Sequence, residues 1–215
     1  LIEIIFENLY DNGFRRFCFI VGTKNKKSIL NHMLPDQEYI KLLKKRNNQF
    51  DKRFAKALQK FYKKFEKCEI KWISQNSPMG FGHALLASKK FVGDKPFLLH
   101  AGDAYFPDYS FLNNFMKSSQ YDKKTTATLL FQRKKSLKGF GIAQTKKSTP
   151  LDVVFHVAEK PRKPKSNLAI LPIYILKPDI FDALEKTGLG HNNELQVTDA
   201  ISTLLGWNHK ITAYN

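Results

Sequence analysis

The stretch "SPMGFGHALLASKKFVGDKPFLLHAGDAY", residues 77–105, sets the reading of the whole chain. It opens with Gly80 and Gly82, continues through helix-forming residues, and becomes the short apolar segment Pro96-Phe97-Leu98-Leu99-His100. That segment stops at Gly102-Asp103. A glycine turn, a helix over about 83–91 and a buried strand over 96–100 are the parts of an α/β unit. In open α/β sheets, ligands bind beyond the carboxyl ends of the strands, where loops converge. Asp103 lies at such an end, where a carboxylate can hold a divalent cation and a phosphate-bearing substrate. Gly-Asp is also ordinary turn chemistry, and the strand ending alone leaves the two readings level. The glycine pair adds a second pointer, because glycines before a helix let backbone N–H groups approach a base or a phosphate closely. A lone G-x-G is a weak signal that a tight turn also satisfies.

The same rhythm extends in both directions. Upstream, Phe17-Cys18-Phe19-Ile20-Val21 is a continuous apolar run, expected to be a strand buried on both faces. A helix follows over 25–33, and a second short strand covers Glu69 to Ile73. Downstream, a helix is expected over 111–117 and an alternating strand over 125–132. Further strands are expected over 139–143, 153–157 and 168–176, helices over 179–186 and 194–205, and a last strand over 209–214. Alternating strands and helices without repeats or a linker predict one α/β domain with a parallel sheet and crossover helices.

Composition bounds the function. The chain has 215 residues, 42% of them hydrophobic, enough for a sizeable core. No run of 18 or more apolar residues occurs, so no spanning helix and no membrane partner is expected. The acidic start LIEIIFENLYDNGFRRF lacks a secretory layout. Cys18 and Cys68 are too few for a disulfide framework or a Cys-rich zinc site, which fits a reducing, cytoplasmic compartment. Lys and Arg number 36 against 19 Asp and Glu, a formal charge of +17. The excess gathers in residues 41–71, where Phe50, Phe54, Leu58, Phe61 and Phe65 recur at helical spacing between lysines. This predicts an amphipathic helix that buries its aromatic stripe and turns its lysines to solvent. A solvated helix face is favoured over a nucleic-acid patch, because no RNP, zinc-finger or KH signature accompanies it.

A larger pattern runs through the chain. Gln75 is followed by Pro78-Met79-Gly80-Phe81-Gly82-His83-Ala84, Gly93-Asp94-Lys95-Pro96-Phe97 and Gly102-Asp103. Gly139-Phe140-Gly141-Ile142-Ala143 and Val157-Ala158-Glu159-Lys160-Pro161 come next. Ser166-Asn167-Leu168-Ala169-Ile170, Ile173-Tyr174-Ile175-Leu176 and Glu194-Leu195-Gln196-Val197-Thr198-Asp199-Ala200-Ile201 complete it. In order and spacing this resembles the bacterial and archaeal UTP–glucose-1-phosphate uridylyltransferases over most of the chain. The G-H-A form of the loop favours the uridylyl branch over thymidylyl and adenylyl relatives.

The resemblance implies a Rossmann-like, mixed and mostly parallel sheet flanked by helices, the nucleotide-diphospho-sugar transferase fold. It implies UTP and glucose 1-phosphate as substrates and Mg2+ as cofactor. Gln75 and the Gly80 backbone would read the uracil edge. Asp103 would ligate the magnesium, and Asp103 and Lys160 would be the catalytic pair, with Lys160 on the phosphate of glucose 1-phosphate. Gly141 and Glu159 would contact the glucose hydroxyls, and Asn167 would lie in the sugar pocket. An ionised Glu can accept from two vicinal hydroxyls, and a Lys ammonium suits a phosphate monoester. Without the surrounding pattern, Glu159-Lys160-Pro161 reads as an exposed ion-pair turn, and Glu194 and Asp199 as supports of their helix.

The chain also departs from that pattern. The family begins with a strand and a G-x-G-T-R…P-K loop that grips the triphosphate, whereas this sequence starts at the helix expected to follow it. A second metal-binding Asp is expected soon after the last strand, yet the sequence stops at Asn215, and Ala104 stands where relatives often carry another Asp. The expectation is therefore a single nucleotidyltransferase domain over 1–215, incomplete at both termini. Two alternatives stay open: another sugar-1-phosphate nucleotidyltransferase, or a degenerate subunit that binds a nucleotide sugar or nucleic acid without catalysis. A homo-oligomer is also left open.

Overall fold

The computed structural model describes residues 1–46, 48–120 and 122–215. The chain forms two compact units, Leu1–Asn76 and Ser77–Asn215.

The first unit consists of α1 (Ile2–Asp11), β1 (Arg16–Gly22), α2 (Thr23–Met33), α3 (Gln37–Lys45), α4 (Gln49–Glu66) and β2 (Glu69–Gln75). β1 and β2 run parallel, with Phe17 opposite Ile70 and Gly22 opposite Gln75. The Asp36 side chain accepts from the Tyr39 N–H and starts α3, and Asn48 does the same for α4 through the Asp51 N–H. The core is aromatic. Phe6 lies 4.8 Å from Phe17, 5.6 Å from Phe61 and 5.3 Å from Phe65, centroid to centroid. Each such fully buried ring stabilises the unit by roughly 1.5–3 kcal/mol. On β1, only Phe17 and Val21 are fully buried, short of the expected burial on both faces. β1 has a single strand neighbour among the described residues, so its outer edge is less enclosed.

The stripe on α4 divides. Leu58, Phe61 and Phe65 are buried as expected, but Phe50 and Phe54 are exposed. In the first turns of α4 the buried positions are Asp51 and Ala55, so the covered face there lies one residue round the helix from Phe50 and Phe54.

The second unit carries a six-stranded mixed sheet among the described residues. Its strands are β3 (Phe97–His100), β4 (Thr125–Arg133), β5 (Ile142–Lys146), β6 (Asp152–Ala158), β7 (Leu168–Leu176) and β8 (Lys210–Tyr214), in the order β3-β7-β4-β8-β6-β5. Its helices are α5 (Phe81–Ala87), α6 (Lys89–Val92), α7 (Leu112–Ser118), α8 (Asp179–Lys186) and α9 (Val197–Gly206). The α/β class and the mixed sheet stand as expected, but the parallel character needs correction at the level of neighbours. β3, β4, β5 and β8 point one way, while β6 and β7 run opposite. Because β7 is inserted between β3 and β4, β4–β8 is the one parallel pairing of this sheet among the described residues. The β5–β6 connection accounts for one reversal: residues 147–151 are too short for the helical crossover that parallel neighbours require.

One edge of β7 serves two partners. Ala169 and Leu168 pair with Ile142 and Ala143 of β5, while residues 173–176 pair with β3. Helices α8 and α9 cover the sheet with Ile180, Phe181, Leu184, Ala200, Ile201 and Leu204, all buried against Leu129, Leu176 and Ile211.

Candidate active site

The clearest convergence in the second unit follows from strand register. Ile142 of β5 stands opposite Ala158 of β6. Gly141, just before β5, and Glu159, just after β6, are therefore brought face to face. The expected strand over 139–143 begins only at Ile142; Gly139 has a φ of 88° and the Phe140 N–H bonds to the Leu137 carbonyl, so residues 137–140 form a turn. The Ile170 N–H of β7 donates to the Gly141 carbonyl at 2.8 Å and fixes that turn to the sheet. A Cβ built at Gly141 would lie 3.0 Å from Thr198 Oγ1 and 3.2 Å from Glu159 Oε2. Glycine thus leaves the space through which the two side chains face each other.

Glu159 is only 12% exposed at its side chain, and Lys160 Nζ lies 3.5 Å from its Oε1. Lys160 adopts a positive φ of 41°, which side-chain-bearing residues visit rarely. This is more enclosed than the exposed ion-pair turn that the Glu-Lys-Pro triplet suggests in isolation. Asp199, in the first turn of α9, feels the same carboxylate. Burial raises its pKa, the charge of Glu159 raises it further, and His191 opposes both. Its carboxylate occupies the space where Gly190 would otherwise carry a side chain. Asp199 therefore looks toward Glu159 and Gly190 and does not cap α9, which has no side-chain cap. Tyr174 of β7 is buried, with its phenol pKa pushed up chiefly by desolvation and then by Glu159.

The sequence reading missed Thr198 and Tyr174 as parts of this cluster. Thr198 is 4% exposed and its hydroxyl has no hydrogen-bond partner among the described residues, although it faces Gly141. Both lie inside quoted motifs, Q-V-T-D and I-Y-I-L. Nothing in the motifs says which way these side chains point.

The Gly80-Phe81-Gly82 loop has a structural requirement of its own. Gly80 has a φ of 102°, and a Cβ there would stand 2.5 Å from the Leu195 carbonyl oxygen and 2.8 Å from Glu194 Cβ. At Gly82 a Cβ would meet the same carbonyl at 2.8 Å. The Gly82 N–H donates to the Leu195 carbonyl, and the Leu195 N–H donates to that of Met79. Residues 194–196 are thus extended backbone laid against the loop, and α9 begins at Val197 instead of Glu194. The Phe81 ring lies 6.4 Å from that of Tyr174, which links the loop to the strand beside Glu159.

The other predicted residues have surroundings of their own. Asp103 is exposed in the turn after β3 and makes no hydrogen bond or ion pair with a described residue. Its neighbour His100 is fully engaged. Nδ1 donates to the Ala101 carbonyl, which can only accept, so Nε2 of the neutral ring accepts from the Tyr109 hydroxyl. Desolvation lowers the His100 pKa and favours that neutral form. Asn167 is exposed at the start of β7, where its side-chain oxygen accepts from Arg133. Gln75 is half-buried at the end of β2 in the first unit.

No three His, Cys, Asp or Glu side chains converge on a metal-sized site among the described residues. Magnesium commonly binds through one or two carboxylates and leaves its other positions to phosphates and water. The unengaged, solvent-facing carboxylate of Asp103 fits that role.

The sequence profile of the nucleotidyl transferase family matches residues 1–214. The chain belongs to this family. Among curated members, the UTP–glucose-1-phosphate uridylyltransferase of Bacillus subtilis is 31% identical over 209 residues, covering 94% of this chain and 68% of its own. A low-salt glycan biosynthesis nucleotidyltransferase of Haloferax volcanii is 33% identical over 144 residues, covering 64% of this chain. The chain spans only 37% of that relative's length. A crystal structure of UDP-glucose pyrophosphorylase complexed with UDP-glucose superposes with a TM-score of 0.82 at 25% identity, over 100% of this chain and 77% of the other. Its apo counterpart gives 0.83 at 26% identity. The nucleotidyltransferase fold expected from the motifs is thereby established.

Proposed function

We propose that the chain transfers a uridylyl group from UTP to glucose 1-phosphate, giving UDP-glucose and pyrophosphate, and that residues 1–215 act as one nucleotidyltransferase domain. The observation that carries the reading is the enclosed Gly141–Glu159–Lys160 cluster, together with family members that bear this activity in their names. A half-enclosed carboxylate beside an ammonium suits a ligand that offers hydroxyls on one side and a phosphate on the other.

In this proposal, a phosphate oxygen of glucose 1-phosphate attacks the α-phosphorus of UTP in line. The new P–O bond forms as the bond to the β-phosphate bridge breaks, and pyrophosphate carries away the electron pair. No covalent enzyme intermediate is required, so catalysis consists of positioning and charge neutralisation. Glu159 accepts from the sugar hydroxyls, with Gly141 leaving room for them. Lys160 neutralises and aims the attacking phosphate. The uracil edge is assigned to the Gln75 amide, which offers a donor and an acceptor, and to the Gly80 backbone. Asn167 would join the sugar pocket through its amide N–H groups, while its oxygen keeps the contact with Arg133. Asp103 would hold magnesium, which when bound supplies charge neutralisation between the phosphates.

Asp103→Asn tests the assignment. Because the side chain is exposed and unengaged, thermal stability should not change, while magnesium-dependent pyrophosphate release from UTP and glucose 1-phosphate should be abolished. A near-normal kcat with an unchanged magnesium requirement would remove Asp103 from the metal site.

A further inference from the structure

We infer that the outer face of the α3–α4 hairpin in the first unit is a docking surface for an anionic phospholipid membrane. The inference stands independently of the nucleotidyl-transfer reading.

Its starting point is the bare half of the α4 stripe. Phe50 is 75% exposed and Phe54 40%, although the same stripe is buried from Leu58 onward. The exposed groups form one patch. The Phe50 and Phe54 rings lie 6.3 Å apart with planes within 17°, and Tyr39 of α3 meets Phe54 edge-on at 6.5 Å. Leu42, also exposed, follows Tyr39 by three residues and shares its helix face. Single exposed apolar residues need no explanation, whereas a contiguous patch marks an interaction surface.

Charge indicates what covers it. Residues 37–67 carry eleven Lys and Arg against three Asp and Glu. Of the acids, Glu38 is paired with Lys41, and Asp51 faces Arg46. Lys45, Arg53, Lys56 and Lys60 make no ion pair among the described residues. Helical spacing puts Lys45 beside Leu42 and Arg53 beside Phe50. An apolar patch flanked by unpaired cations is the arrangement of an interfacial helix that seats its rings at the acyl boundary and its cations among anionic headgroups.

Other occupants fit less well. A second copy would bring the same concentration of positive charge to the contact. A single-stranded nucleic acid would stack on the rings, but Leu42 has no π face, whereas aliphatic and aromatic groups both partition into lipid. No described helix is long and apolar enough to cross a membrane, so the contact is interfacial. The absence of a spanning segment, which led to the expectation of no membrane partner, concerns crossing and leaves surface attachment open.

The test is sedimentation of the full chain with vesicles of phosphatidylcholine alone and of phosphatidylcholine mixed with phosphatidylglycerol. The protein should sediment with the anionic vesicles and remain in solution with the neutral ones. Phe50→Ser combined with Phe54→Ser should weaken binding about tenfold or more at unchanged charge. Replacing Lys45, Arg53, Lys56 and Lys60 by Gln should also weaken it, on the order of fivefold per cation. Should the double Phe variant melt early, Phe50→Ser alone gives the same reading at a scarcely packed position. The inference falls if anionic vesicles leave the protein in solution, or if the Phe variants bind as well as the parent. It also falls if Phe-dependent binding is found for single-stranded RNA and not for vesicles.

Discussion

Two glycine turns bracket the α5–β3 segment, and their surroundings differ completely. At Gly80-Phe81-Gly82 the backbone is pressed against Glu194–Gln196, and a Cβ at either glycine would collide with the Leu195 carbonyl. A Cβ added at Gly102 would meet nothing within 4 Å beyond its chain neighbours, and the exposed Asp103 carboxylate makes no hydrogen bond or ion pair with a described residue. In sequence both turns read as ligand-facing. The structure separates them into one that organises the fold and one that is free to serve a ligand. The difference teaches that a glycine motif near a site can be demanded by the protein's own backbone, even where a ligand also uses it.

This contrast can be broken by substitution. Gly80→Ala should have the largest effect, because it combines a positive φ with a clash against main chain that cannot swing aside. The expected loss is about 2–4 kcal/mol, read from denaturant unfolding. A loss below 1 kcal/mol would mean that the 194–196 segment yields easily and that the loop is not locked.

A smaller effect is expected where the site holds charge against its preference. The folded state raises the pKa of Asp199, so folding favours its protonated form. That favourable contribution is complete below the ordinary carboxylate range and is lost as pH rises through the raised folded pKa. Asp199→Asn should therefore melt slightly higher than the parent near neutral pH, and the two should converge in acid. The gain is modest because the group is partly solvated. A variant that melts lower at neutral pH would indicate that the carboxylate is held by favourable contacts instead.

Gly102→Ala should do least, within about 0.5 kcal/mol of the parent. A substantial loss there would erase the distinction between the two turns.

How much was legible follows the range of the interactions involved. Helix α8, the strands β6 and β7, and the strand at Phe17–Val21 are set by local pattern and lie where periodicity puts them. That Gly141, Glu159 and Lys160 lie together depends on an antiparallel register that a short connection enforces. The contact of Gly80 with Leu195 was not legible, since more than a hundred residues separate them and no local rule couples them. The insertion of β7 between β3 and β4 was hidden for the same reason. Thr198 was not legible because its motif does not say which way the side chain points, and here its hydroxyl faces Gly141. Phe50 and Phe54 were misread because a hydrophobic period defines a face without stating what lies against it.

The proposed role of Glu159, held opposite Gly141, is to read the hydroxyls of a sugar nucleotide. Calorimetric titration of UDP-glucose and UDP into the parent and into Glu159→Ala tests it directly. The parent should bind UDP-glucose more tightly than UDP. Loss of a charge-assisted hydrogen bond, roughly 1.5–3 kcal/mol, should weaken UDP-glucose about 10–100-fold in the variant and leave UDP unchanged. Equal weakening of both ligands, or a parent that does not prefer UDP-glucose over UDP, would contradict the claim.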